Sequence, residues 1–551
     1  MQSWNFIVES ELPGSMIGSV GYVGTATVRS FVDININVAE PGTASRGRSF
    51  FEKFGRTANT LDWNGRLSTS YHSLQATVNR RVAEGLTIKG AYTYSAAINM
   101  TDDDGWAGVM CNIPSQFSRN RVRAGYDQNQ IFQMGYVYRN EGDDTFANVT
   151  DPEVDDDRWS TSAAFCDYDG DGRIDLFVAN YIDFTVRNNK RCFDAAGARD
   201  YCAPKMFHPV PDALLRNLGR GRFVNVTVRA GSGSAFGNGL GIACVDGNSD
   251  NRPDLYVAND GMPNQLWRNR GDGAFEDVAF GSGSAVKANG LAEAGMDVAS
   301  ADFDADGDED LLVTHLASET NTLYRDNGSG EFRDVTDRFG LGSSSFPNTG
   351  FGTAWLDYDT DGCLDLFVAN GAVIIVESLR GEPYPFHQRN QLLRSVAGER
   401  FVDVTDMSRP ALEVSEVSRG AAVGDLDNDG DSDLAVTNNR GRVRLLLNQI
   451  ENRNDWIPIR VEGRKSNRDG YGARVAVLRG SQDALWRRCH TDGSYLSAGD
   501  PRLHFGLGKS APEVDVGVVW PDGSRELWHR LAVNTAHVLR EGTGGPWSGG
   551  R

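Results

Sequence analysis

CDYDGDGRIDLFVAN, residues 166–180, decides the fold. Its carboxylates stand at Asp167, Asp169, Asp171 and Asp175, positions 1, 3, 5 and 9 of a short loop. Gly172 at position 6 lets the chain fold back. The β-rich run after position 9 reads as a strand. The pattern recurs as CVDGNSDNRPDLYVAND (244–260), ADFDADGDEDLLVTH (301–315), LDYDTDGCLDLFVAN (356–370) and GDLDNDGDSDLAVTN (424–438). The five acid clusters open at Asp167, Asp246, Asp302, Asp357 and Asp425, separated by 79, 56, 55 and 68 residues.

A second phrase punctuates the gaps: YRNEGDDTFANVT (138–150), LLRNLGRGRFVNVT (214–227), LWRNRGDGAFEDV (266–278), LYRDNGSGEFRDVT (323–336) and LLRSVAGERFVDVT (392–405). Each unit therefore reads as four short strands. A small-residue strand enters the acidic loop, an apolar strand leaves it, and a third turns through glycine into a fourth. Four strands in roughly 40–50 residues is the signature of a β-propeller blade. No such unit buries its own faces, so the units must stack around an axis.

The loops carry the chemistry of a hard divalent cation. Calcium takes six to eight oxygen ligands at flexible geometry. The first loop offers Asp167, Asp169, Asp171 and Asp175, with the carbonyl of Arg173 at position 7. The third offers Asp302, Asp304, Asp306, Asp308 and Asp310, and the fourth Asp357, Asp359, Asp361 and Asp365 with Cys363 at position 7. The fifth offers Asp425, Asp427, Asp429, Asp431 and Asp433. The second, with Asp246, Asn248, Asp250 and Asp254, is weaker, because Asn248 replaces an acid, Asn251 stands where Gly is usual and Pro253 stiffens the turn. Four or five calcium ions are expected. Magnesium suits the loops less, since it demands near-octahedral geometry and keeps its waters.

An EF-hand loop begins alike but needs Glu at position 12 and flanking helices. Position 12 is Val178, Val257, Val313, Val368 and Val436, each in a β-rich run. The loops therefore join strands. Solvated acidic turns are the bland alternative. Against that, five loops gather 22 carboxylates, which repel one another unless a cation neutralises them.

The whole chain has 551 residues, 63 of them Gly, and a net charge of −20. That length predicts two to four domains. The acid belongs to residues 141–450, which carry 27 basic and 52 acidic side chains. A nucleic-acid footprint needs clustered Lys and Arg and is not expected. Seven cysteines show no CxxC pair, which argues against thiolate zinc and thioredoxin-like chemistry. Cys192 and Cys202 suit either a disulfide or two reduced loop thiols, while Cys166, Cys244 and Cys363 read as packing residues. No apolar stretch reaches the length of a transmembrane helix. The start MQSWNFIVESELPGS lacks a basic region and an apolar core, so no signal peptide is expected.

The repeats resemble FG-GAP/VCBS units of integrin α propellers and bacterial surface proteins. They are closer still to bacterial relatives of cartilage acidic protein, which join such a propeller to an ASPIC/UnbV domain. The phrases SNRDGYGARV (466–475), LHFGLG (503–508) and VWPDGS (519–524) carry the second half of the resemblance. It spans about residues 138–540 and implies a ring of about seven blades, against five acidic loops here. The ring is then truncated to five or six blades, or closed by strands outside the repeat. Expected domains are a propeller over 138–450, a small all-β module over 451–541 and a disordered tail over 542–551. Asp469, His490 and His504 read as loop and sheet residues of that module.

Residues 1–137 hold no acidic loop. Leu74, Ala76 and Val78 alternate with Gln75, Thr77 and Asn79, and after a Glu84-Gly85 turn Leu86, Ile88, Tyr92 and Tyr94 continue the pattern. Trp4, Phe6, Tyr22, Tyr92, Tyr94 and Tyr126 suit a membrane-interface girdle, or an ordinary soluble antiparallel sheet. WNFIVESELPGSMIGSVGYVGT and SYHSLQATVNRRVAEGLTIKGAYTYSAAIN resemble late barrel strands of TonB-dependent, Oar-like outer-membrane receptors. That resemblance implies antiparallel hairpins and an outer-membrane association. So few strands cannot close a barrel, so transport is not expected.

The expected fold class is thus all-β: a propeller, a small carboxy-terminal β domain and amino-terminal hairpins. The expected function is a non-enzymatic calcium-binding surface or secreted protein whose loops contact a protein or glycan. HExxH, GxSxG and P-loop motifs are absent from the sequence. GSGSAFGNGLG (231–241) reads as a blade entry, and His208 and His387 fall in Pro-rich insertions. A propeller hydrolase with a site assembled across blades, or a receptor-derived fusion, are the competing classes.

Overall fold

The computed structural model describes the backbone of seven strands before residue 150. From 158 to 549 it describes side chains as well, apart from 186–187, 189, 194–201, 377, 380–383, 451–453 and 481. The chain divides into two compact units, Met1–Ile131 with Tyr138–Asn148, and Phe132–Val137 with Val149–Arg551.

In the first unit Gln2–Leu12, Met16–Asn35, Leu61–Val82, Leu86–Asn99 and Ala124–Gly125 pair in sequence order as one antiparallel sheet. The expected hairpins are present, and the alternation at 74–82 against 86–94 lies on directly paired strands. The expected aromatic girdle concerns side chains outside the described residues. Tyr138–Asn140 pairs with Phe146–Asn148. This pair was expected to end a blade and instead groups with the first unit.

The second unit holds five antiparallel sheets in series. The first consists of Ser160–Cys166, Asp175–Asn180, Ala213–Gly219 and Arg222–Asn225. The second is Gly239–Val245, Asp254–Asn259, Gln265–Asn269 and Phe275–Asp277, and the third Asp297–Ala301, Asp310–Thr314, Thr322–Asp326 and Phe332–Asp334. The fourth is Gly350–Leu356, Asp365–Asn370, Gln391–Val396 and Arg400–Asp403. The fifth has three described strands, Ser418–Gly424, Asp433–Asn438 and Arg444–Leu446.

First strands of successive sheets are neighbours, which makes them the innermost strands of blades. Their small residues follow from that crowding. A Cβ on Gly241 would sit 2.5 Å from the Cα of Asp297 in the next blade. Thr161 and Ser162 donate to the carbonyls of Gly239 and Leu240 at 2.8 and 2.6 Å. Between blades the second strands bury their apolar faces: Phe177 packs with Leu255 and Trp267, Leu311 and Val313 with Tyr256, and Phe367 with Leu434 and Val436. Apolar side chains are exposed in the two end sheets, at Phe165 and Leu218 in the first and at Val443, Leu445 and Leu447 beside the last strand of the fifth. The described blades form an arc of five.

Residues 455–546 build a separate core from two sheets. Asp455–Glu462 lies between Leu503–Gly508 and His537–Arg540. The other sheet runs Leu485–Arg488, Arg474–Leu478, Glu513–Val519, Arg525–Ala532 and Gly545–Pro546. Ile457, Ile459, Val475, Val477, Phe505, Val516, Val518 and Trp520 fill the space between them. The tail expected from 542 is corrected by this arrangement. Gly545–Pro546 pairs with Glu526–Leu527, and Trp547 stacks on Trp486 at 5.9 Å, so apolar burial carries the domain further.

Cys192 and Cys202 form a disulfide, linking two short paired strands. Cys166 and Cys244 are buried between the first two blades, and Cys363 is half-buried.

Candidate metal centre

Every acidic loop is held by its own backbone. Position 1 accepts twice: Asp167 from the N–H groups of Asp171 and Gly172, at 3.0 Å each. Asp246, Asp302 and Asp357 repeat this with residues 250 and 251, 306 and 307, and 361 and 362. Position 6 is left-handed in all five loops, at Gly172, Gly307, Gly362 and Gly430 and also at Asn251. Position 4 is left-handed too, although four of the five residues there, Ser249, Ala305, Thr360 and Asn428, are not glycine. Position 7 donates its N–H to the position-5 carboxylate in every loop, at Arg173, Arg252, Asp308, Cys363 and Asp431.

Position 9 has a second task. Asp175, Asp254, Asp310, Asp365 and Asp433 are at most 1% exposed. One oxygen of each accepts an N–H in or just after the third strand, from Asn217, Asn269, Asp326, Ser395 and Asn448 at 2.7–2.9 Å. In four loops the other oxygen accepts the N–H of position 2, from Tyr168, Phe303, Tyr358 and Leu426. This staple fastens the loop to its blade.

In four loops the carboxylates converge. Oxygens of Asp167, Asp169 and Asp175 lie within 4.8 Å of one another, as do those of Asp302, Asp304 and Asp306, of Asp357, Asp359 and Asp361, and of Asp425, Asp427 and Asp433. The second loop does not assemble such a group among the described residues. Its Asn248 amide donates to Asp250 at 3.1 Å, and Asp254 Oδ2 has no partner. Asp171, Asp308, Asp310, Asp365, Asp429 and Asp431 complete the loops around these groups.

The clusters fit a hard cation. Asp304 Oδ1 and Asp425 Oδ1 are enclosed without a hydrogen bond, and Asp425 is only 8% exposed. An acceptor left alone in that way costs free energy unless something electropositive meets it. Burial pushes the carboxyls of Asp302 and Asp357 up to about 7 and that of Asp365 up to about 9, with neighbouring carboxylates adding to the rise. A bound divalent ion reverses that preference and keeps the group ionised.

Third-strand arginines reach the same carboxylates, a feature not read from the sequence. Arg216 lies 2.6 Å from Asp169, and Arg325 lies 2.6 Å from Asp304 and 2.8 Å from Asp306. The readable signal is an arginine in the same place in four phrases, LLRN, LWRN, LYRD and LLRS.

Three comparisons bear on this architecture. The FG-GAP-like repeat model matches residues 246–313 and 302–368, and the ASPIC and UnbV model matches 463–546. The chain carries FG-GAP-like repeats and an ASPIC/UnbV domain. Residues 1–148 match an outer membrane β-barrel domain, so that match also takes in the strand pair at 138–148. Cartilage acidic protein 1 of Homo sapiens is 28% identical over 414 residues, covering 65% of this chain and 59% of that protein. The Xenopus tropicalis protein is 28% identical over 371 residues, covering 66% and 51%. The chain thus spans between half and three-fifths of these relatives. A solved Agrocybe aegerita lectin that recognises non-reducing terminal N-acetylglucosamine aligns over 57% of this chain and 74% of its own, at 17% identity and a TM-score of 0.32.

The ASPIC/UnbV domain lies over the acidic loops. Arg474 donates to the carbonyl of Gly307, Gly508 to that of Thr360 and Arg502 to that of Asp425. Arg488 and Glu309 form a buried pair at 2.6 Å, 5% and 8% exposed. Residues 488–502 then cross the innermost strands of four blades. Cys244 donates to Asp492, Arg488 donates to Ser300, Ala421 donates to Ser494, Tyr495 meets Phe351 at 5.1 Å, and Asp500 donates to Val423. His490 pairs with Asp492 at 3.1 Å, and His504 lies in a strand against Trp456. Asp469 pairs with Arg468 at the surface.

Proposed function

We propose that this chain is a non-enzymatic calcium-binding protein of the bacterial surface or secreted fraction, whose propeller presents loops to a protein or glycan. The carrying observation is the convergence of carboxylate oxygens within 4.8 Å in four loops. When bound, calcium supplies charge neutralisation and oxygen coordination. The chain's own residues position the ligands, through the paired N–H groups on position 1 and the position-9 staple. Calcium serves to hold each blade's hairpin, and recognition falls to exposed loops.

Calorimetric titration of chelated protein tests this, with about four calcium ions expected. Absence of heat together with an unmoved melting temperature sinks the reading, because a ligand that binds only the native state raises stability.

A second reading, association with the outer membrane, is favoured by the β-barrel match over residues 1–148. Fractionation decides it: release of the folded chain without detergent excludes it.

A further inference from the structure

Register identifies one equivalent residue in, or directly after, every third strand. In each blade the position-9 Asp accepts the N–H of a fixed residue, and the residue before it is Arg216, Arg268, Arg325, Arg394 or Leu447. Where that residue is arginine, the contacts it makes depend on loop position 3.

Where position 3 is Asp and the arginine is present, the guanidinium takes hold of the loop. Arg216 Nε lies 2.6 Å from Asp169 Oδ2 and its Nη2 3.4 Å from Asp171 Oδ2. Arg325 repeats the grip on Asp304 Oδ2 at 2.6 Å and Asp306 Oδ2 at 2.8 Å. In the second blade position 3 is Asn248, and Arg268 turns away to the carbonyl of Gly330 in the next blade at 3.2 Å. The fifth loop keeps its Asp427 but faces Leu447, which is 48% exposed.

The two resolved grips use the same oxygen. Both fasten Oδ2; Asp169 Oδ1 accepts the N–H of Asp171 at 3.3 Å, and Asp304 Oδ1 is enclosed without a hydrogen bond. Groups that hold the outer face of a ligand fix its orientation and typically change metal affinity by about 10–100-fold. The opposing effect is repulsion between guanidinium and cation. Each gripped loop carries at least four carboxylates, and one arginine leaves an excess of negative charge for a divalent ion.

We propose that Arg216 and Arg325 are positioning residues of the cation sites, fastening Oδ2 of the position-3 carboxylate so that Oδ1 meets the ion. The inference rests on the calcium reading and deepens it by ranking the sites. The first and third loops bind more tightly than the fifth, and the second binds least.

The test is calcium calorimetry on the full chain after chelation, comparing Arg325→Met and Leu447→Arg with the unaltered protein. The fifth-blade site is assigned by its loss in Asp427→Asn. Arg325→Met is expected to weaken one site about tenfold and leave the others unmoved, which general damage to the fold would not do. Leu447→Arg, an exposed change, is expected to tighten the fifth-blade site. The proposal is overturned if Arg325→Met leaves every affinity unchanged or tightens one, or if Leu447→Arg fails to tighten its site. If the unaltered chain binds no calcium, the functional reading itself has failed, which is a different result.

Discussion

At the scale of residues, the acidic loops combine left-handed backbone with buried charge. Gly362 has φ of 96°. A side chain there meets the usual steric cost of about 1–2 kcal/mol, so Gly362→Ala is expected to lower the melting temperature of the chelated protein. The carboxyls make a second expectation. Burial raises Asp212 to about 7, Asp297 to about 8 and Asp365 to about 9, so the folded state binds protons that the unfolded chain has released. Stability from these groups is full below the ordinary carboxylate range and is lost as pH rises through their folded values. His315 and His504 oppose this, because burial depresses them to about 3 and 4, and their contribution is lost below pH 6.5. Chelated protein is therefore expected to gain stability steeply from pH 8 to about 6.5 and more shallowly below it, where the two histidines oppose the more numerous carboxyls. Thermal melts in a pH series with a chelator check the trend. Saturating calcium should flatten the upper limb, since ligand carboxylates must be ionised to coordinate.

At the scale of elements, the blade was legible and its neighbours were not. The 1-3-5-9 acid spacing, Val at position 12 and the Gly-turn phrase name three of four strands directly, because each is a local signal. The third-strand arginines needed register between residues about 45 apart in the first blade, 173 and 217 among them, and no local pattern supplies that. The ASPIC/UnbV phrases located a β module, yet its docking onto the loops was hidden. Arg488, Asp492 and Tyr495 sit in an unrepeated stretch, and their partners lie in other blades. The Gly545–Pro546 strand was missed because two residues rich in turn chemistry carry no alternation. The buried Arg488–Glu309 pair gives a quantitative expectation. Arg488→Met leaves the Glu309 charge enclosed without its partner and should cost about 3–5 kcal/mol. A double-mutant cycle with Glu309→Gln, read by denaturant unfolding, should show strong non-additivity. Additive losses would mean the pair is not coupled.

At the scale of the whole molecule, the five-blade arc and the ASPIC/UnbV domain share one unit, so metal loading should be felt across both. At a hundredfold excess of calcium over Kd, each site contributes about 2.7 kcal/mol to the native state. Chelation is therefore expected to lower the melting temperature as one cooperative transition of residues 158–549. A domain that melts separately and unmoved by calcium would contradict that coupling.

The strand of peptide that threads the inner edges of four blades has a mechanical consequence. Its contacts at Asp492, Ser494, Tyr495 and Asp500 fasten it on both sides of any single cut. A protease that nicks the chain at the exposed Leu496 should yield two bands on a denaturing gel and one species on a sizing column. The segment behaves as a bolt, held by its seat even when its own backbone is severed.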